Sequence, residues 1–171
     1  MRIALWPFGD VPPGVIGDLA EDLAFLGPIV VLEPAPLREE WFNPGRGQYR
    51  SGGILDALTP GEGDRVLGVV AADLYSESAP YNFVFGEARP LTRRAVVSID
   101  RLRSPDPGRS RDRIAKEAVH ELGHALGLDH CGSPGCVMAF SNSLDDVDRK
   151  GRSFCRRCQA ILELSATRPR T

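Results

Sequence analysis

The chain has 171 residues, 42% hydrophobic and 26% charged, with a formal net charge of −2. That is enough sequence for one hydrophobic core and short for two independent domains, and the near-neutral balance excludes a broad electrostatic attraction to nucleic acid or an anionic membrane surface. No apolar run approaches the length of a membrane span, and the first residues lack the apolar stretch and small-residue cleavage site of a secretory signal, so a cytoplasmic location is expected.

In chain order, Ile3 to Trp6 is a short apolar run of the buried-strand type. Val11 to Phe25 follows as a helix, with Pro12 and Pro13 at its start, Val15, Ile16, Leu19 and Leu23 as its apolar face, and Gly27 as its stop. Ile29 to Leu32 reads as a second strand, closed by Pro34 and Pro36. Residues 37 to 64 carry glycines at 45, 47, 52 and 53 and read mostly as loop, with one short helix near Ile54 to Leu58. Val66 to Ala71, Asn82 to Phe85 and Ala95 to Ile99 are the third, fourth and fifth strands. A segment rich in proline, serine and glycine, Ser104 to Ser110, leads into a helix from Arg111 to Leu126. A last helix begins near Cys155 and runs through Gln159, Ile161 and Leu162.

All three histidines fall in the run His120-Glu121-Leu122-Gly123-His124-Ala125-Leu126-Gly127-Leu128-Asp129-His130. One helical turn separates His120 from His124, so both project from one face and can hold a single metal ion. Glu121 can act as base toward a water polarised by that metal. Gly127 can end the helix in a left-handed conformation and let the chain double back, bringing in His130 as third ligand. A fourth position left open for water marks a catalytic rather than a structural zinc. An ordinary surface helix is the competing reading, but this pattern uses every histidine of the chain and places a glycine at the turn. On the other side of the helix, Ile114, Ala118, Leu122 and Leu126 form a stripe that can bury in a core.

The four cysteines follow at once. Cys131 is next to His130, Cys136 comes five residues later, and Cys155 and Cys158 form a Cys-x-x-Cys pair. Two short-spaced pairs suit a closed four-cysteine zinc site, giving two zinc ions per chain. Two disulfides, or a redox pair at Cys155 and Cys158, are the alternatives; the redox pair alone would leave Cys131 and Cys136 unexplained. A structural zinc would staple the segment after the catalytic helix and fix His130 through its neighbour Cys131. Only two basic residues are lysines, Lys116 and Lys150; the rest are arginines.

The run from His120 to His130 resembles that of the metzincins, zinc peptidases in which a methionine turn lies beneath three histidines. With Cys131, Cys136, Met138, Cys155 and Cys158 added, it is similar to the archaemetzincin family in particular. The signature spans residues 120 to 158, under a quarter of the chain. Sixteen residues separate Met138 from Cys155, about one fewer than the family pattern, a difference a loop absorbs. The resemblance implies a mixed α/β, metzincin-like fold: a twisted, mostly parallel sheet with an antiparallel edge strand, an active-site helix, and a small C-terminal subdomain with the four-cysteine zinc site. It implies one metallopeptidase domain over residues 1–171, with an N-terminal subdomain of 1–127 and a C-terminal subdomain of 128–171 that carries Met138 in the methionine turn. By strand order, Asn82, Phe83, Val84 and Phe85 are the cleft-edge strand that would hold extended substrate by main-chain hydrogen bonds; a plain core strand is the competing reading.

The activity implied is hydrolysis of peptide bonds by zinc-activated water, with an aminopeptidase-like preference. The partner expected is a peptide or protein segment, with no nucleic acid and no membrane, and the chain is expected to be a monomer. A zinc-stabilised binding module with little or no turnover is the alternative, against which the Glu121 carboxylate argues, since binding alone does not need it. Some metzincins carry a tyrosine shortly after the methionine turn that stabilises the tetrahedral intermediate, whereas Tyr49, Tyr75 and Tyr81 all precede Met138, so no oxyanion donor is assigned. Asp129 reads as a turn cap, Arg156 and Arg157 as a solvated face, and Asp145, Asp146 and Asp148 as the acidic start of a local helix or turn.

Overall fold

Nearly continuous burial along the first apolar run places β1 (Arg2–Phe8) inside a sheet covered on both faces, as seen in a computed structural model that describes residues 2–61, 64–90 and 92–167. Ile3 and Leu5 point into one core, Ala4 and Phe8 into the other. Helix α1 (Pro13–Leu23) starts with proline, where no backbone donor is needed, and buries Ile16, Leu19 and Leu23. Strand β2 (Ile29–Val31) then returns parallel to β1, with Ile29 opposite Ile3.

The stretch from 37 to 64 is more structured than its glycines suggested. It holds a hairpin of β3 (Phe42–Asn43) and β4 (Gln48–Arg50) and then α2 (Ser51–Ala57), which begins three residues before Ile54. Residues 62 and 63 of that expected loop lie outside the described residues. Strand β5 (Asp64–Val70) re-enters the main sheet beside β1, and β6 (Leu74–Tyr75) pairs with β4 in a small second sheet. Strands β7 (Gly86–Arg89) and β8 (Arg94–Ser98) complete the main sheet in the order β2-β1-β5-β8-β7. All neighbours are parallel except β7 and β8. A mostly parallel sheet with one antiparallel edge strand was the expected architecture.

That edge strand lies four residues beyond the expected one. Between 82 and 85 only Val84 bridges another strand residue, Leu74, while the paired segment is Gly86-Glu87-Ala88-Arg89. Phe83-Val84-Phe85 has the composition of a strand, but a sheet edge that is half-solvated accepts a short polar segment, and all four residues of β7 are half-buried.

Helix α3 (Pro107–Ala125) starts four residues before Arg111, because the Asp106 carboxylate accepts a hydrogen bond from the Gly108 N–H at 2.9 Å and Pro107 takes the first helical position. Its Ile114, Ala118 and Leu122 pack with α1 and with Leu67, Val69, Ala95 and Val97 of the sheet. On the opposite face, Trp41, Ile54, Leu55 and Leu58 close a second cluster over Val66, Val70 and Val96. Helices α4 (Leu144–Arg149) and α5 (Arg156–Thr167) follow α3 and enclose the cysteine-bearing segments. Among the described residues no helix is long and apolar enough to cross a membrane.

Candidate metal centres and the cleft between them

The end of α3 builds the site. Gly127 takes φ 93°, a conformation costly for any residue with a Cβ, and the Leu128 N–H returns to the Gly123 carbonyl at 3.0 Å. The chain therefore doubles back and delivers His130 to the face that carries His120 and His124. Ring centroids stand 4.6 Å apart for His120 and His124, 4.8 Å for His124 and His130, and 5.3 Å for His120 and His130.

The tautomers follow from the outer partners. His120 Nδ1 lies 2.9 Å from the Val137 carbonyl oxygen and His124 Nδ1 lies 2.7 Å from that of Leu128. A carbonyl only accepts, so each Nδ1 carries the proton and donates it, leaving Nε2 as the lone-pair nitrogen. The two Nε2 atoms face each other at 3.1 Å. Two nitrogens each about 2.05 Å from one tetrahedral zinc would be about 3.3 Å apart, so the pair fits that ion closely. Burial is the main cause that holds His120 well below the ordinary imidazole range and lowers His124 and His130 too, which keeps all three neutral and ready to bind metal.

Glu121 is 5% exposed and makes no hydrogen bond among the described residues. Burial, and then the neighbouring Glu117 carboxylate, push its carboxyl well above the usual range. A Cβ at Gly86 would fall 2.6 Å from Glu121 Cγ and 2.6 Å from the Val96 carbonyl oxygen, so only glycine lets the edge strand press its backbone against the Glu121 stem. Met138 is fully buried beneath the same helix, where a Cβ at Gly123 would overlap its sulfur.

The four cysteines are brought together without disulfide bonds. Sγ of Cys131 lies 3.8 Å from Cys155 Sγ, and Cys136 Sγ lies 3.7 Å from Cys158 Sγ; all four thiols are free. A disulfide needs about 2.05 Å, while the edge of a four-thiolate zinc tetrahedron is about 3.8 Å. Backbone N–H groups of Cys155 and Ser133 point at Cys136 and Cys131 sulfurs, at 3.3 and 3.5 Å. The backbone N–H of Cys158 draws the Cys155 thiol down to about 7, whereas burial pushes Cys158 up. The two clusters are joined covalently at His130 and Cys131, and again at Val137: its carbonyl holds His120, and its N–H donates to the Ser153 carbonyl at 3.0 Å.

A cleft of about 310 Å³ opens over the imidazoles and Glu121. Phe83, Val84, Phe85 and Gly86 line its upper side; Asn82 does not line it, and its carbonyl instead accepts hydrogen bonds from Arg46 and Gln48 at 2.9 and 3.0 Å. Tyr81 and Phe140, 40% and 45% exposed, stack at 5.7 Å at the rim, and Phe140 stands 5.0 Å from the His130 ring. Tyr81 is therefore brought to the cleft although it precedes Met138 by a long stretch of chain. Every charged residue that lines the cleft among the described residues is acidic: Glu87, Glu117 and Glu121.

Three features escaped the sequence. Gly86, just past the expected strand of Asn82 to Phe85, approaches Glu121 closely. Glu117 and Lys150 form an ion contact of 2.7 Å, with side chains 3% and 1% exposed, directly behind His120. Asp148 read as part of an acidic helix start and instead pairs with Arg113 through two 2.6 Å contacts. The scarcity of lysine was the one available signal for Lys150. Asp146 does help start α4, accepting from Ser143. Asp129 is exposed and caps no turn N–H among the described residues, whereas Arg156 and Arg157 are solvated as expected.

A helix that carries two of three converging histidines, laid beneath the antiparallel edge of a mostly parallel sheet with the third histidine returned by a glycine turn, suits a zinc metallopeptidase, a hydrolase. Residues 48–164 match peptidase family M54, and the chain belongs to that family. It is 48% identical over 147 residues to the archaemetzincin of Methanopyrus kandleri, covering 84% of this chain and 83% of that one. It is 40% identical over 170 residues to the archaemetzincin of Methanocaldococcus jannaschii, covering 95% and 93%. The crystal structure of archaemetzincin from Archaeoglobus fulgidus complexed with malonate aligns with a TM-score of 0.87 at 43% identity, over 94% of this chain and 99% of that one.

Proposed function

We propose that the chain cleaves peptide bonds in the cleft over α3, with His120, His124 and His130 binding a catalytic zinc and Cys131, Cys136, Cys155 and Cys158 binding a structural zinc, two ions per chain. The observation that carries this reading is the convergence of three neutral imidazoles beside a buried carboxyl that has no hydrogen-bond partner among the described residues. The cleft then lies between a subdomain of residues 1–127 and one of 128–171, with Met138 buried beneath the helix that carries the site.

When bound, zinc supplies Lewis acidity to the attacking water and to the scissile carbonyl. Glu121 accepts the water proton during attack and returns it to the leaving amine. Gly86 holds Glu121 in place by its close approach. Among the described residues strand β7 has one partner, β8, which leaves its outer edge to pair with extended substrate backbone, while Phe83, Val84 and Phe85 contact the substrate side chains. Asn82 shapes that segment through its carbonyl contacts. An aminopeptidase-like preference is supported by Glu87, the acidic cleft residue that is neither paired with Lys150 nor assigned to the water and whose partners among the described residues are the Ser51 and Ser78 hydroxyls, so its charge can attract a free ammonium group.

Anomalous scattering at the zinc edge from crystals of the zinc-loaded protein tests the metal assignment; peaks are expected at both clusters, and one at the cysteines alone would overturn it. Peptide pairs with free and acetylated N-termini test the preference. Free amines should be cleaved at least about tenfold faster, the effect of one desolvated charge contact worth about 1.4 kcal/mol, and equal rates would make the enzyme an endopeptidase.

A further inference from the structure

We infer that Lys150 is a positioning residue for the three-histidine site: through Glu117 it locks the segment that anchors His120 onto α3. The inference rests on the metallopeptidase reading above. Lys150 Nζ lies 2.7 Å from Glu117 Oε1 and 3.4 Å from His120 Nδ1, and both charged side chains are almost fully buried. Glu117 stands three residues before His120, on the turn of α3 that precedes it. The His120 Nδ1 proton is already given to Val137, and an ammonium has only protons to offer, so the 3.4 Å contact is no hydrogen bond. Lys150 instead ties two elements together. It holds Glu117 on the helix, and its own segment runs on to Ser153, whose carbonyl fixes the Val137 N–H at 3.0 Å. Val137 thus presents its carbonyl to His120 from a turn segment whose N–H is tied to the chain that follows Lys150.

Stability alone is a poor reason for this pair. Two buried opposite charges are often replaced by apolar residues of similar volume without loss, because each ion must be stripped of water. Glu117 Oε1 also lacks a well-aligned hydrogen-bond donor despite the short approach of the ammonium. Lys116, the other lysine, shows what a purely structural role looks like on the same seam: its Nζ sits 3.1 and 3.2 Å from the Val147 and Asp148 carbonyls of α4 and contacts no metal ligand. Lys150 differs by its contact with the His120 ring.

The decisive variant is Lys150→Met with Glu117→Met, since Lys150→Met alone would leave an unpaired carboxylate beside the metal. Zinc affinity of each site is read by competition with a chromophoric chelator, and geometry of the three-histidine site by the visible spectrum of cobalt bound there. The double variant is expected to melt near wild type and keep the four-cysteine zinc, yet bind the histidine-site zinc about tenfold or more weakly, with altered cobalt bands. Wild-type affinity and an unchanged cobalt spectrum in the double variant would overturn the inference. Should that variant fail to fold, Glu117→Gln keeps the shape, removes the charge that holds the ammonium, and carries the same two outcomes. If wild type itself fills only the four-cysteine site, the metallopeptidase reading fails and this inference falls with it.

Discussion

Glu121 is held by steric contact more than by hydrogen bonds, which makes its neighbour Gly86 a sensitive position. Gly86→Ala places a methyl group 2.6 Å from Glu121 Cγ, so either the carboxylate or the edge strand must move by a large fraction of an ångström. A displacement of that order at a catalytic group costs about 10²-fold in rate. We expect kcat to fall by roughly that factor with both metal sites still filled, measured by steady-state kinetics alongside metal content; an unchanged kcat would show that Glu121 is not seated by this contact. The ligands carry a pH prediction of their own. Their folded pKa values lie below the ordinary 6.5, chiefly through burial, so the unfolded chain binds more protons in acid. The stability this confers on chelator-treated protein is present above pH 6.5 and lost as pH falls toward the depressed values. Melting temperatures of chelator-treated protein between neutrality and mild acid should therefore decline, and a flat profile would contradict the burial argument. The convergence of His120, His124 and His130 was legible because one helical turn and a glycine turn determine it. Gly86 and Lys150 were not, because their roles depend on which strand and which return segment lie against α3.

At the scale of elements, two local devices fix the catalytic helix. The Asp106 cap satisfies the first turn, and its loss in Asp106→Ala should cost about 1 kcal/mol, or about 2–4 °C in melting temperature, with activity unchanged. A drop much beyond that would mean the cap also holds the preceding loop. The other end depends on the cysteine-bearing segment, which supplies the carbonyl for His120 through Val137 and follows His130 through Cys131. Cys136→Ser should therefore lose the structural zinc and weaken the catalytic one. A cost of roughly 3 kcal/mol would lower the melting temperature by about 6–12 °C. Metal analysis after dialysis checks this: retention of the histidine-site zinc at full affinity would show the two sites to be independent. The edge strand is where element-level reading failed. Phe83-Val84-Phe85 is apolar because it lines the cleft roof, whereas Gly86 to Arg89 pairs with β8 and looks like a loop in composition. Functional surface and strand composition had exchanged places.

Across the whole molecule, the sheet supplies a rigid platform and α3 runs from its capped start to the metal site with its apolar face against that platform. The overall α/β order was readable from the apolar runs, since buried parallel strands announce themselves by composition. The small sheet of β3, β4 and β6 was not, because strands of two or three residues leave too little periodicity to detect. Candidate ligands from one helix, a glycine turn and the cysteine-bearing segment converge at one end, and the cleft there opens onto Glu121. Turnover in this cleft requires the Glu121 carboxylate to take the water proton. Zinc-loaded wild type and Glu121→Gln should each contain two zinc ions, and a mixed peptide library read by mass spectrometry should be cut by wild type alone, with the variant slower by at least about 10²-fold. Cleavage by Glu121→Gln at the wild-type rate, with both zinc sites filled, would contradict it.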